Sequence, residues 1–566
     1  VEKQNNIVVI GGTACGPKAA ARARRLDQKA RITIIEEEEN LSTATCGLPY
    51  YVGGVIENQS SLVARRPDFF KDVMNIDVLT DTRAVAIKRK AHQVELLNLG
   101  TNQTTTMSYD KLVLATGSVP AIPKLEGRDL GGIFTLTKLK DALALRSLIA
   151  PREIKKAVIV GAGLIGLEMA EAFIAQGLEV TMIEALDWIL PTMLDFEIAA
   201  PIEKHLRAKG VNLILGQRVS GFEGDSNRWV NKIITKDTEL EGRLVLLSLG
   251  VKPNVKLAQD ARLKIGALGG VDVNEYLQTS DPDIFAGGDC VENVNRITGQ
   301  KVLAPLGSTA NKHGRVIGTN ITGGQETFPG VTGTFTAKVF DFNVARVGLT
   351  EAQAKQAGYD IVTALVPSYE HATYYPNSKE ITVKLIADKS SGRLMGGQVV
   401  GPGDSAKRID VLATALSFGA TADNLANLDL SYAPPYNSAM DPLHAAANVI
   451  RNKRSGVAKG LSPVAVKEKI DRGDEFILLD VRTPAEWNAR RIESPQTKFV
   501  PIRELRARLE ELPQDTEIIT SCQSSIRAYQ AQRILEGAGF KDVKFLDGSI
   551  GGWPYEVAGM KLKTKQ

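Results

Sequence analysis

The sequence predicts an α/β protein of several domains, two of them opening on the same βαβ pattern. Three observations predict it. Two glycine loops, 11–16 and 161–166, each follow an apolar strand and precede a helix, a second strand and a glutamate. The 566 residues exceed what one core holds, so three to five domains of about 100–200 residues are expected. The last hundred or so residues alternate short apolar strands with helices, as a small α/β domain does.

The first unit opens with the strand Ile7-Val-Val-Ile10 and the loop Gly11-Gly-Thr-Ala-Cys-Gly16. A helix from about Pro17 to Leu26, the strand Arg31–Ile35 and Glu36 follow. Bare amides at a helix start suit a pyrophosphate, and glycine lets the backbone approach it. Thr13 replaces the middle glycine, but Gly11, Gly16 and Glu36 fit, and Gly287-Gly-Asp289 supplies the usual flavin partner in Asp289. An FAD site is expected here. The second unit has the strand Ala157–Val160, a complete G-x-G-x-x-G in Gly161, Gly163 and Gly166, a helix to about Gln176, the strand Glu179–Ile183 and then Glu184. Glu184 meets the ribose hydroxyls and repels a ribose phosphate, which favours NADH over NADPH. Both units are Rossmann-like, and together they hold two dinucleotides face to face. Ala115-Thr-Gly117 and Leu249-Gly250 mark the crossings between them. The expected boundaries are 1–117 with 247–329 for the FAD domain and 118–246 for the NAD domain. An α+β segment spans 330–450, a polar basic linker 451–460, and a last α/β domain 461–566.

Composition and charge narrow the classes. With 43% hydrophobic and 24% charged residues the chain reads as soluble and globular, and the net charge of +4 gives no global pull toward nucleic acid or membrane. The most apolar stretch, Ala157–Ala175, holds three glycines plus Glu168 and Glu171, so it is a strand–turn–helix and not a membrane span. The four cysteines Cys15, Cys46, Cys290 and Cys522 form no C-x-x-C pair, which argues against a disulfide framework or a metal site. No basic-then-apolar region opens the chain, so a reducing cytoplasm is expected.

Two cysteines look placed as nucleophiles. Cys46, in the segment opened by Ser42, precedes Gly-Leu-Pro at a helix start, where amide dipoles stabilise a thiolate. No second cysteine follows nearby, so Cys46 must cycle through a mixed disulfide, a sulfenic acid or a persulfide. Cys522 heads the loop Cys522-Gln-Ser-Ser-Ile-Arg527, whose amides and terminal arginine would surround sulfur with positive potential. Cys15 and Cys290 read as packing.

On these motifs, residues 1 to about 450 resemble the pyridine nucleotide–disulfide oxidoreductases, in the single-cysteine branch of coenzyme A disulfide reductases and NADH peroxidases and oxidases. Within that branch, His371-Ala-Thr-Tyr-Tyr-Pro376 and Tyr432-Ala-Pro-Pro-Tyr436 resemble the coenzyme A reductases. The resemblance implies a homodimer with 330–450 as its dimerisation domain, in which Tyr374 and Tyr432 of one subunit face the other's reactive cysteine. It also implies coenzyme A phosphates near the first helix, with Arg22, Arg25 and Lys71 as contacts. Thr43 and Thr45 depart from the family's Ser-Phe-x-Asn-Cys. From about 461 the chain resembles a rhodanese domain, with Leu479-Asp-Val-Arg482, Glu486 and Gly551-Gly-Trp553 as framework and Arg490-Arg-Ile492 replacing Gly-His-Ile. The implied activity is FAD-dependent reduction of persulfides, polysulfides or coenzyme A persulfide by NADH, Cys522 relaying sulfane sulfur. A coenzyme A disulfide reductase and an NADH oxidase or peroxidase are the alternatives.

Overall fold

The computed structural model describes residues 4–559. The chain forms two compact units, one of residues 1–185 and 210–331, the other of 186–209 and 332–566.

In the first unit, β1 (Asn6–Ile10), α1 (Cys15–Leu26) and β2 (Arg31–Ile35) form the expected βαβ start. The strands are almost wholly apolar because a parallel sheet covered on both faces hides both sets of side chains. The sheet runs Ile284–Ala286, Lys111–Leu114, β1, β2, Asp77–Leu79, all parallel. Alanines 19, 20 and 23 give α1 a low-relief face, and the helix Gly307–Asn320 packs on it through Gly314 and Gly318. The short helix α2 (Leu48–Val52) follows the Cys46 turn.

A second five-stranded parallel sheet contains β3 (Lys156–Val160) and β4 (Glu179–Ile183), joined by α3 (Leu164–Ala175). Its remaining strands are Asn212–Ile214, Leu244–Leu247 and Ile133–Phe134. The two crossings expected at 115–117 and 249–250 lie together. Ser118–Pro120 pairs antiparallel with Val251–Pro253, and Thr116 Oγ1 donates to the Asn254 carbonyl at 2.7 Å.

The second unit differs from the expected boundaries. Residues 186–209, read as part of the NAD domain, pack in this unit, and their helix α4 (Phe196–Ala208) buries Ile198, Ala199, Ile202 and Leu206 there. Polar pairing explains the placement: Lys384, buried in the sheet, lies 3.1 Å from Asp195, 3.1 Å from Glu197 and 2.8 Å from Glu351. The sheet is antiparallel: Phe335–Val339, Phe342–Gly348, Leu394–Gly401, then β6 (Glu380–Asp388) and β5 (Ile361–Tyr369). Helix α5 (Pro442–Arg454) packs on β5 and β6.

The 451–460 stretch also differs from a free polar linker, since its first four residues are the last turn of α5. Their basic side chains are tied down: Lys453 pairs with Asp547 and donates to the Thr363 carbonyl at 2.8 Å, and Arg454 donates to the Lys389 and Ser390 carbonyls. Beyond it lies a five-stranded parallel sheet in the order Gly460–Leu461, Val543–Leu546, Ile518–Ser521, Ile477–Asp480, Thr497–Phe499. Helix α6 (Ile526–Gly537) covers it with Ala528, Ala531, Ile534 and Leu535. No helix among the described residues is long and apolar enough to cross a membrane.

Candidate functional sites

The two glycine loops have the same internal wiring. Glu36 accepts the Gly12 amide at 2.6 Å, and Glu184 accepts the Ala162 amide at 2.8 Å. Burial pushes the Glu36 carboxyl up, opposed by hydrogen bonds from the Glu38 and Gly12 amides. Helices α1 and α3 begin without a side-chain cap and without an acid in the first turn. Other helix starts are capped by Thr350, Thr421, Asp441, Ser462 and Thr483, while those of α4 and α6 are uncapped too. Uncapped donors at these two starts suit an anion from outside.

Glycine placement makes the same point. A Cβ at Gly161 would strike the Ser248 carbonyl and one at Gly166 the Gly161 carbonyl, so the fold itself requires both; Gly11 and Gly16 are excluded in the same way by Ala115 and Gly11. At Gly163 the nearest obstacle is 3.9 Å away. Packing within the chain does not demand glycine there, and close approach of a pyrophosphate to the backbone would. Asp289 closes the first loop's far side; burial raises its carboxyl, and Ser118 Oγ donates to it at 3.0 Å. Ala115 and Gly117 lie in the crossing beside it. These residues fit a flavin dinucleotide at the first loop and a nicotinamide dinucleotide at the second.

Cys46 lies exposed in the 3-10 turn Thr45–Gly47, just before α2. Its segment is tied to the first loop, because Ser42, at φ 52°, donates its amide to the Gly12 carbonyl at 2.7 Å. The segment also pairs with 62–64: Ala44 donates to the Leu62 carbonyl at 2.7 Å, and Ala64 to that of Ser42 at 3.1 Å. Helix α2 packs on α3, with Gln176 Nε2 donating to the Gly53 carbonyl at 2.8 Å. Cys46 thus stands on a support tied to the first glycine loop and packed on α3, the helix that the second loop opens. With only five residues, α2 offers little dipole.

The three expected phosphate contacts are not brought to one point. Arg22 and Arg25 stand a turn apart on α1, with Arg22 Nε donating to Thr319 Oγ1 at 3.1 Å and Arg25 to the Ala21 carbonyl at 3.3 Å. Lys71 pairs with Asp77 and lines an open cavity of about 430 Å³ with Arg31, Thr33 and Asp68. In the second unit, Tyr374 and Tyr432 do meet: their hydroxyls are 3.2 Å apart, and that bond raises Tyr374. At 74% and 52% exposure neither is a core tyrosine.

Cys522 is buried, 1% exposed, at the carboxyl end of Ile518–Ser521. Its amide donates to Ser549 Oγ at 3.1 Å, and its carbonyl accepts the Ile550 amide at 3.0 Å. Ser525 in the loop takes φ 74°, a left-handed conformation that turns successive amides inward. Arg527, in the first turn of α6, makes a bidentate pair with Glu486 at 2.6 and 2.8 Å. Its guanidinium is raised by Glu486 first and by Cys522 next, while Arg527 holds the Glu486 carboxyl down to about 2.

The profile of the pyridine nucleotide-disulphide oxidoreductase family matches residues 5–313, more than half of the chain. The chain belongs to that family. The family's dimerisation domain matches 334–444, and a rhodanese-like domain matches 462–555. A Pyrococcus horikoshii protein named NAD(P)H coenzyme A polysulfide/persulfide reductase is 37% identical over 448 residues, 79% of this chain and 99% of its own. The solved structure of an NAD-dependent persulfide reductase from A. fulgidus has a TM-score of 0.91 and 45% identity, covering 97% of this chain and all of that one. That of a Bacillus anthracis CoADR-RHD has a TM-score of 0.93 and 34% identity, covering 97% and 98%.

Within this family member, three features escape a reading of the sequence. Glu168, on the face of α3 toward the Cys46 segment, is pushed up to about 7 by burial and by Glu171, and burial, then both acids, raise Tyr50. Its signal was a charge inside an apolar helix. Glu486 reads from sequence as framework, whereas it is the partner of Arg527. Arg65 and Arg66 follow the strand segment paired with that of Cys46, and a lone basic pair in a loop gives no signal.

Proposed function

We propose that this enzyme reduces persulfides or polysulfides at the expense of NADH, releasing hydrosulfide, with Cys46 as the reducing cysteine and Cys522 as a carrier of sulfane sulfur. The observation that carries it is the support of Cys46 on the first glycine loop and on α3, in a chain that also keeps the Cys522 loop with its Glu486–Arg527 pair. Gly11, Gly16, Glu36, Ser42, Ala115, Gly117 and Asp289 would hold FAD, which when bound supplies two-electron transfer between nicotinamide and sulfur. Gly161, Gly163, Gly166 and Glu184 would hold NADH, Glu184 disfavouring a ribose phosphate.

Cys46 thiolate attacks one sulfur of R–S–SH, forming a new S–S bond and expelling thiolate or hydrosulfide. Two electrons from NADH and a proton then split that bond, so the sum is R–S–SH + NADH + H⁺ giving R–SH + H₂S + NAD⁺. Tyr374 and Tyr432, from the partner subunit of a homodimer, stabilise the thiolate and return the proton. Arg22 and Arg25, a turn apart on α1, would meet the phosphates of a coenzyme A carrier, whereas Lys71 is paired with Asp77; Cys522 loads sulfane sulfur as a persulfide that Arg527 and the loop amides stabilise. Four unpaired thiols suit a reducing cytoplasm.

Anaerobic NADH oxidation with polysulfide, with and without coenzyme A, tests this reading in wild type and Cys522→Ser. Sulfide release that rises with coenzyme A and falls sharply in the variant is expected. An unimpaired variant that prefers coenzyme A disulfide would favour a plain disulfide reductase.

A further inference from the structure

The loop 547–553 walls the Cys522 site on one side and packs on the dimerisation domain on the other. Toward Cys522 it presents the Ser549 hydroxyl, which accepts the Cys522 amide at 3.1 Å and donates to the Leu546 carbonyl at 3.2 Å. The Ile550 amide donates to the Cys522 carbonyl at 3.0 Å, and the Gly551 amide to the Gln523 carbonyl at 2.9 Å. Away from Cys522, the buried carboxylate of Asp547 pairs with Lys453 of α5, whose ammonium also holds the Thr363 carbonyl of β5 at 2.8 Å. A Cβ added at Gly548 or Gly552 would come within 2.9 or 2.8 Å of Leu365, and one at Gly551 within 3.0 Å of Pro367, both on β5. The loop is therefore a single layer of backbone between β5 and the cysteine.

Strain explains why such a layer needs holding. Ser549 has φ 49° and Ser525, across the site, φ 74°. Left-handed serines persist only where the surroundings over-determine them. Asp547 lies two residues from Ser549 and carries the one charge anchoring this loop to α5.

We propose that Lys453, on the last turn of α5, is a positioning residue for sulfur transfer at Cys522, acting through Asp547 and the Ser549–Ile550 backbone. The C-terminal domain then depends on its neighbour for the geometry of its own cysteine. This inference rests on the reading of Cys522 as a sulfane-sulfur acceptor. The reaction that reports it is Cys522–S⁻ + S–SO₃²⁻ giving Cys522–S–S⁻ + SO₃²⁻, after which cyanide removes the outer sulfur as thiocyanate and restores the thiolate.

The test uses the full-length, flavin-loaded protein with thiosulfate and cyanide, and Lys453→Met, Lys453→Arg and Lys453→Met/Asp547→Asn. The double variant keeps a neutral pair of similar shape, so no unpaired carboxylate is left buried to unfold the chain. Three readouts are followed: kcat and KM for thiocyanate, the rate at which iodoacetamide alkylates Cys522, and flavin reduction by NADH. Lys453→Met and the double variant should lose about tenfold or more in kcat, since small misplacements of a reacting group cost that much. KM should stay within about twofold; alkylation should quicken, flavin reduction should hold, and Lys453→Arg should recover most of the rate. Wild-type kcat and alkylation in the double variant would overturn the proposal, as would an equal loss of flavin reduction in both neutralised variants. If wild type forms no thiocyanate but the neutralised variants still alkylate faster, the sulfane-acceptor reading fails while the positioning role stands.

Discussion

Glu486 and Arg527 are 41 positions apart, yet their side chains make a fork-to-fork contact that aims a guanidinium at the Cys522 loop. Glu486→Gln keeps the shape and removes the charge, and we expect it to lower kcat/KM for thiocyanate formation from thiosulfate by about tenfold. Because the folded carboxyl is held down to about 2 from its ordinary 4.5, the contribution of the pair is fully present above pH 4.5 and is lost as pH falls from there toward 2. The two cysteines were legible in the sequence because each lies in a short contiguous motif. Glu486 was visible only as a framework acid of the rhodanese resemblance, since nothing local tells a glutamate which distant arginine it meets. The same limit applies to Arg22, Arg25 and Lys71: residue type suggested phosphate contacts, but their convergence on a ligand depends on side-chain directions that spacing does not carry.

At the scale of elements, the strands read from the sequence were placed almost to their ends, because covered strands are runs of Val, Ile and Leu bounded by glycine or charge, whereas shorter ones such as Asp77–Leu79 and Asn212–Ile214 were not read. The second βαβ unit was read with the strand Glu179–Ile183 at its observed bounds. The α+β segment was ended at 450, four residues inside α5, because a run of Arg, Asn and Lys looks like a solvated linker, although cations also suit a helix C-terminus. Within α3, Glu168 carries a consequence for stability. Its carboxyl is raised to about 7 from 4.5, so between those values the folded chain binds more protons than the unfolded one, and stability falls as pH rises through that window. Glu168→Gln removes the slope. Denaturant titrations should show the variant more stable than wild type at pH 8, by roughly 2 kcal/mol, with no gain at pH 4; an unchanged difference across that range would refute the assignment.

For the whole molecule, the order of domains was legible, whereas the excursion 186–209 was not. Sequence contiguity assigned it to the NAD domain, but its acids Asp195 and Glu197 find their cation, Lys384, about 190 positions later on β6. Burial alone would lower Lys384; Glu197, Asp195 and Glu351 outweigh it and hold the ammonium above the ordinary lysine range. Lys384→Met leaves these carboxylates without their shared cation and should cost about 3–5 kcal/mol in chemical unfolding, with loss of its cooperativity. A cost under about 1 kcal/mol would show that water reaches the cluster.

The central claim is that electrons from NADH reach sulfur through Cys46. Anaerobic sulfide release from polysulfide and NADH, compared in wild type and flavin-loaded Cys46→Ser, tests it most directly. The account predicts sulfide in step with NADH oxidation in wild type and none above background in the variant, whose flavin NADH still reduces. Undiminished NADH-dependent sulfide release by Cys46→Ser would contradict it.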